Sequence, residues 1–338
     1  MELTIAYCGY QLKRRGGLLG EEREGILLRV GQDPFYGYAD CHPWPELGDE
    51  PVHEQLEALA KRAPLPLAQQ SLYFAQVDLK ARREGQSLFA LDRPLHLFNH
   101  WLCSSLEELA NEEVVEQLQG RGFTHIKLKI DRDWRQQLQQ LPCLIDRHPQ
   151  WHWRLDANSK LRPEEAMALF AYLAPFSALI DCIEDPTPFE AEVWSALGRH
   201  PELEIACDWA LSPWQAASHG IKTIILKPAR DLFLQGSLSQ LPPFSNLLPI
   251  DSSIRYVFTS YLDHPLGQIS ALWLAQRFYE RWQLPAQVCG LASHLVYQET
   301  PFHKALGAGS RLCHPSSPGW GWQHELEELE WRSITSLR

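Results

Sequence analysis

Five charged residues recur along this 338-residue chain, each closing a short apolar run, at intervals that suit a repeating strand–helix unit. The runs end in Lys127-Leu128-Lys129, in Arg154-Leu155-Asp156-Ala157-Asn158, in Ile183-Glu184-Asp185-Pro186, in Cys207-Asp208 and in Leu226-Lys227-Pro228. From Lys129 through Asp156, Glu184 and Asp208 to Lys227 the intervals are 27, 28, 24 and 19 residues. One strand, one crossover helix and two loops fill such an interval, so each charge falls at the same level of successive parallel strands. Charge at the end of an apolar strand is expensive unless it is paired or put to use. The pattern predicts an α/β fold, a TIM-like (β/α) barrel with its site at the C-terminal rim of the strands.

Eight strand candidates follow from about residue 95: Leu95–Asn99, His125–Ile130, Trp151–Asp156, Ala178–Glu184, Leu203–Asp208, Thr223–Lys227, Asn246–Ile250 and Ala286–Leu291. Stretches of helical periodicity, such as Ser105–Leu118, Pro163–Leu173 and Ser270–Tyr279, lie between them. The N-terminal part reads differently. Strand-like Leu3–Tyr10 and Gly25–Val30 precede a loop of turn formers, Gly37–Pro45, and two helical stretches near 52–62 and 67–84. We expect an α+β capping domain over 1–95, a barrel domain over 96–308 and a C-terminal segment, 309–338, returning to the cap. Gly16-Gly17-Leu18-Leu19-Gly20 suits a closing lid or a plain hairpin turn equally.

Composition narrows the partners. The net charge of −11 argues against nucleic acid, which needs clustered Lys and Arg for its phosphates. No apolar stretch approaches the ~20 residues that cross a bilayer, and Met1-Glu2-Leu3-Thr4 lacks the basic and apolar regions expected of a secretion signal. Eight scattered cysteines without a C-x-x-C pair read as free thiols in a reducing compartment, so a cytoplasmic chain without structural zinc is expected. The oligomeric state stays open, with a monomer permitted.

Asp156, Glu184 and Asp208 would converge from three neighbouring strands. Three gathered negative charges call for a cation, and all-oxygen ligation suits Mg2+, with Mn2+ a possible substitute, leaving coordination positions for a small-molecule carboxylate substrate. Lys127 and Lys129, two apart, point to one face of their strand. One ammonium beside another and near a divalent ion has its pKa depressed, so Lys129 can act as a base near neutral pH.

With these residues in place, the chain resembles the enolase superfamily, in the branch of the muconate-lactonising enzymes: K-x-K on the second strand (Lys127, Lys129), acidic ligands on the third to fifth (Asp156, Glu184, Asp208) and lysine on the sixth (Lys227). Arg154-x-Asp156-x-Asn158 and Asp251-Ser252-Ser253 are similar to the o-succinylbenzoate synthase family within it. The resemblance implies Mg2+ on the three carboxylates and Lys129 as the base that takes the proton α to the substrate carboxylate. It also implies that Lys227 stabilises the intermediate by its charge, and that Lys127, Arg154, Asn158, Ser252, Ser253 and Gly290 contact substrate. The reaction implied is dehydration of 2-succinyl-6-hydroxy-2,4-cyclohexadiene-1-carboxylate in menaquinone biosynthesis. Opposed lysines also suit an N-acylamino-acid racemase or another epimerase, and a non-catalytic relative would keep the same ligands. Departures are Trp209, where the family places glutamate, Arg255 in the seventh-strand segment, and Cys289–His294, which lacks the D-x-D of dipeptide epimerases. His294 reads first as an ordinary rim residue.

Overall fold

Two sheets of opposite character divide the chain. The computed structural model describes residues 4–15, 22–90, 95–231 and 251–334. The first sheet is antiparallel, β1 (Thr4–Lys13), β2 (Glu22–Gln32) and β3 (Phe35–Cys41), with the short C-terminal β11 (Arg332–Ser333) added at the β1 edge. The helix Pro66–Arg83 covers it. Proline occupies the first helical turn, where its missing N–H costs nothing. Leu67, Phe74, Ala75, Val77 and Leu79 from this helix are buried. A Cβ on Gly37 of β3 would overlap the Ala75 carbonyl oxygen and the Leu79 nitrogen, so glycine is what lets helix and sheet meet this closely.

Asp78 on the same helix is fully buried and ties three parts together. Its carboxylate accepts the Tyr38 N–H (2.8 Å) from β3, the Trp320 N–H (2.7 Å) from the C-terminal segment and the Arg82 Nε–H (2.7 Å) one turn on. Arg82 also donates to the Gly321 carbonyl at 2.7 Å. The C-terminal segment is thus held on the N-terminal unit by a satisfied buried ion pair and the indole rings packed around it.

The second sheet is parallel and runs in chain order: β4 (Trp101–Cys103), β5 (His125–Lys129), β6 (His152–Asp156), β7 (Ile180–Glu184), β8 (Ile205–Cys207), β9 (Thr223–Leu226) and β10 (Arg255–Phe258). Its two edges meet through Cys289 and Gly290. Asn99 bridges Cys289 and Thr259 bridges Gly290, both in parallel sense. His100 N–H donates to the Cys289 carbonyl at 2.8 Å, and Gly290 N–H donates to the Phe258 carbonyl at 2.8 Å. An eighth stave two residues long therefore closes the ring, where the sequence suggested a strand over Ala286–Leu291. Cys182, Ala206, Ile225 and Val257 form a small buried cluster of their own, each two residues before Glu184, Asp208, Lys227 and Thr259. Period-two alternation stacks the charged level on this apolar level.

Two further strands differ from the sequence reading. The first pairs at Trp101–Cys103, just beyond Leu95–Asn99. The seventh candidate, Asn246–Ile250, lies outside the described residues, as does Gly16–Gly20; the strand that pairs with β9 is Arg255–Phe258. Aromatic Tyr256 and Phe258 alternate with Val257 along it, and all three are buried.

Candidate active site

A cavity of about 390 Å³ opens at the C-terminal ends of the parallel strands. Successive staves supply Lys127 and Lys129 (β5), Asp156 and Asn158 (β6 and its turn), Asp208 (after β8) and Lys227 (after β9) to its wall. Glu184, at the end of β7, is completely buried behind them. Its Oε2 accepts from Lys127 Nζ at 2.5 Å, and Asp156 Oδ2 lies 2.9 Å from the same nitrogen. Lys227 Nζ is paired with Asp208. Lys129 is exposed within the concavity and forms no ion pair among the described residues.

The turns that carry these groups are strained and pinned. Asn158, Ser159 and Asp185 all have φ between 40° and 58°, the left-handed region that Asn and Asp tolerate better than most residues. Asp185 is buried, and its carboxylate accepts the N–H groups of Asp208 (3.0 Å), Trp209 (2.6 Å) and Ala210 (3.2 Å), which fixes the loop after β8. Arg230 lies over the Trp209 ring at 4.8 Å and donates to the Asp208 carbonyl, so cation and ring together cover this side of the loop.

Burial and charge compete at each group. Burial lowers the Lys127 ammonium, but Asp156, Glu184 and Asp208 together raise it above the ordinary lysine range. Lys129 moves the other way: although water reaches its side chain, the surrounding cavity walls strip part of its solvation, and this loss, helped by the Lys127 and Lys227 charges, outweighs the pull of Asp156 and Asp208 and lowers its pKa. The depressed base that the sequence suggested thus has desolvation as its main cause. Burial raises Glu184 above its usual value in spite of Lys127, whereas Lys227 and Arg230 overcome burial and hold Asp208 at about 2.

This donor set fits a hard divalent ion. Glu184 Oε1 and Asp208 Oδ1 are buried without a hydrogen-bond partner among the described residues, an expensive arrangement that a cation relieves. No three His, Cys, Asp or Glu side chains among the described residues are already drawn together as a ready cage. The carboxylates turn to Lys127 and Lys227, whose ammonium groups take up the negative charge.

Comparison with known proteins agrees with this architecture. A family model described as the O-succinylbenzoate synthase N-terminal domain matches residues 5–81, and one described as Enolase C-terminal domain-like matches residues 110–222. An o-succinylbenzoate synthase of Bdellovibrio bacteriovorus is 28% identical over 98% of this chain and 99% of its own length. A dipeptide epimerase from Enterococcus faecalis superposes with a TM-score of 0.75 at 15% identity, over 95% of this chain and 99% of the other. The same epimerase with Mg and the dipeptide L-Leu-L-Tyr gives 0.73 over the same shares at 15% identity. Residues 5–81 and 110–222 are thus each similar to domains found in the enolase superfamily. Relatives at 28% and 25% identity are named o-succinylbenzoate synthase, and the chain, like them, is an enzyme.

Against the superfamily pattern, the structure brings together Lys127, Lys129, Asp156, Asn158, Asp208, Lys227 and Gly290 around the cavity, with Glu184 behind. Three residues expected at the substrate stand elsewhere. Arg154 is wholly buried below the cavity, donating to Asp181 Oδ2 (2.6 Å) and His100 Nδ1 (3.2 Å). Alternation along β6 puts Arg154 one level beneath Asp156, out of reach of the lumen. Ser252 and Ser253 are exposed and precede β10, at the opposite end of that strand from the cavity. Thr259 and Ser260, which follow it, line the wall instead. The signal for them was present, a polar pair ending the apolar run Tyr256-Val257-Phe258, but it becomes legible only once that run is recognised as the strand. Trp44, His100, Leu102, Lys160, Tyr261 and Ser293 also line the wall, and no motif announced them. Trp44 comes from the N-terminal unit and donates its Nε1–H to the Tyr261 carbonyl at 2.7 Å, which places that unit at the cavity mouth. His294 turns from the cavity, bonded to Gln268 and to the Gly307 carbonyl, in the structural role read for it first.

Proposed function

We propose that the chain is an o-succinylbenzoate synthase, dehydrating 2-succinyl-6-hydroxy-2,4-cyclohexadiene-1-carboxylate to o-succinylbenzoate in cytoplasmic menaquinone biosynthesis. The observation that carries this reading is the asymmetric lysine pair. Lys129 and Lys227 stand on staves two and six of eight, hence on opposite walls of one cavity, with the carboxylates between them. The Lys129 pKa is lowered and its side chain makes no ion pair among the described residues, whereas Lys227 is tied to Asp208 by an ion pair. One free base and one fixed cation suit elimination from a single face.

Asp156, Glu184 and Asp208 would hold Mg2+. When bound, that ion supplies the Lewis-acid charge that acidifies the proton α to the substrate carboxylate and stabilises the negative charge left on that group. Lys129 Nζ takes the proton, then returns it to the departing hydroxide as water leaves. Lys227 lies on the far side, where its positive charge faces the developing enediolate. Lys127 keeps the carboxylates in register.

An epimerase would use both lysines as bases in turn, and the similarity to a dipeptide epimerase keeps that reading in view. Purified, Mg2+-loaded protein should dehydrate the cyclohexadiene carboxylate and leave N-acyl amino acids unracemised. Racemisation without dehydration would overturn the proposal.

A further inference from the structure

The cavity wall holds a hydrogen-bond donor that the mechanism above does not use. His100 follows Asn99 at the closing seam and is buried, with 7% of its surface exposed. Its Nδ1 faces Arg154 Nη1 at 3.2 Å. A guanidinium can only donate, so Nδ1 accepts and the ring proton sits on Nε2. Nε2 has no protein partner among the described residues, and His100 is part of the cavity lining. Space for this edge of the ring comes from Gly290: a Cβ there would stand 2.6 Å from His100 Cε1 and 2.9 Å from Nε2. The glycine on the eighth stave therefore makes room for the histidine, which gives it a role besides direct substrate contact.

We propose that His100 binds the substrate, its Nε2–H donating to a carboxylate oxygen on the side of the cavity that Lys127 faces. Two neighbours favour an anionic oxygen over a cation or a donor. Lys127 is on the adjacent strand, paired with Leu102 two residues beyond His100, and Arg154 lies directly behind the ring. Burial, together with the charges of Arg154, Lys127 and His125, lowers the imidazolium far below the ordinary histidine range, so the ring stays neutral and keeps the tautomer that Arg154 selects. This inference rests on the reading of the cavity as a carboxylate site and adds the residue that orients the carboxylate.

Two substitutions separate contact from support. In His100→Gln the amide nitrogen falls near the Nε2 position and keeps a donor for substrate. In His100→Asn the amide oxygen falls near the Nδ1 position, keeps an acceptor for Arg154 and leaves the cavity without the donor. We expect His100→Asn to weaken o-succinylbenzoate binding to the Mg2+-loaded protein, measured by titration calorimetry, about 10- to 100-fold, with a parallel loss in kcat/KM. His100→Gln should recover at least fivefold of that loss. The reverse ranking, or equal behaviour of the two variants at matched thermal stability, overturns the proposal and leaves His100 as a support for Arg154. Should wild type bind the dicarboxylate with this ranking yet fail to dehydrate its precursor, the synthase assignment falls and the His100 assignment stands. Absence of carboxylate binding by wild type overturns both.

Discussion

The two ends of the barrel both bury charge, and they do so in opposite ways. At the N-terminal end, Arg154 and Arg255 share Asp181 at 2.6 and 2.7 Å, and Arg255 also reaches Glu204 at 3.0 Å. Asp181 is the extra residue where the β6–β7 register shifts, since Trp153 pairs with Ile180 but Arg154 with Cys182. A bulge re-aims one side chain, and here it delivers a carboxylate between two arginines. Among the described residues, Arg154 Nη2 is the one polar atom of that group buried without a hydrogen-bond partner. At the C-terminal end Glu184 Oε1 and Asp208 Oδ1 have no hydrogen-bond partner among the described residues, although Arg230 stands 3.8 Å from Asp208 Oδ1, and Lys129 lies outside the ion pairs. Charges that neutralise one another hold a structure together. Charges left unmatched around a cavity are available for a ligand.

The comparison can be broken at several points. The largest effect belongs to Lys129→Ala: turnover should fall by roughly a thousandfold or more, the scale of a positioned general base, while thermal unfolding changes by less than about 1 kcal/mol because the side chain lines an open cavity and makes no ion pair among the described residues. Retained dehydration would move the base elsewhere. Metal removal comes next. A chelator should abolish turnover, and restoring Mg2+ at a hundred times its Kd should add about 2.7 kcal/mol of stability. Glu184→Gln should remove that increment, read as the loss of the Mg2+-dependent shift in melting temperature.

Asp181→Asn should do the converse, lowering stability by about 3–5 kcal/mol while the Mg2+-dependent shift survives. Its pH dependence has a definite sign. Burial raises the Asp181 carboxyl, but Arg154 and Arg255 overcome it and hold the group well below the usual carboxylate range. The folded value lies under the unfolded one, about 3.9, so the contribution is fully present above that pH and is lost as pH falls toward the folded value. The stability gap between wild type and variant, measured by urea unfolding, should therefore narrow from pH 7 to pH 3. The smallest effect concerns the seventh stave. Ser260→Ala should lower kcat/KM by about 2- to 10-fold, the range of one neutral hydrogen bond, and Ser252→Ala or Ser253→Ala by less than twofold. Equal losses from both ends would contradict the placement of β10.

Much of this was legible in the chain because strand alternation and βα spacing are local rules. The residues Lys127, Lys129, Asp156, Glu184, Asp208 and Lys227 carry their own signal, charge where an apolar run ends, and the structure gathers them at one end of the barrel. Arg154 shows the limit of that rule. Two residues from Asp156, it shares the inward face, yet depth along the barrel axis separates a cavity wall from a sealed interior, and depth depends on strand stagger. Ser252 and Ser253 fail for the same reason, one misplaced strand shifting a whole rim. The closing seam at Cys289–Gly290, the bulge at Asp181, and the meeting of Trp44 with Tyr261 are contacts between segments far apart in sequence. No local pattern encodes them. The sequence by itself determined which charges would share a level and what chemistry they could support. Only the tertiary structure decided which of them face the cavity, because that choice rests on barrel closure and the approach of the N-terminal unit.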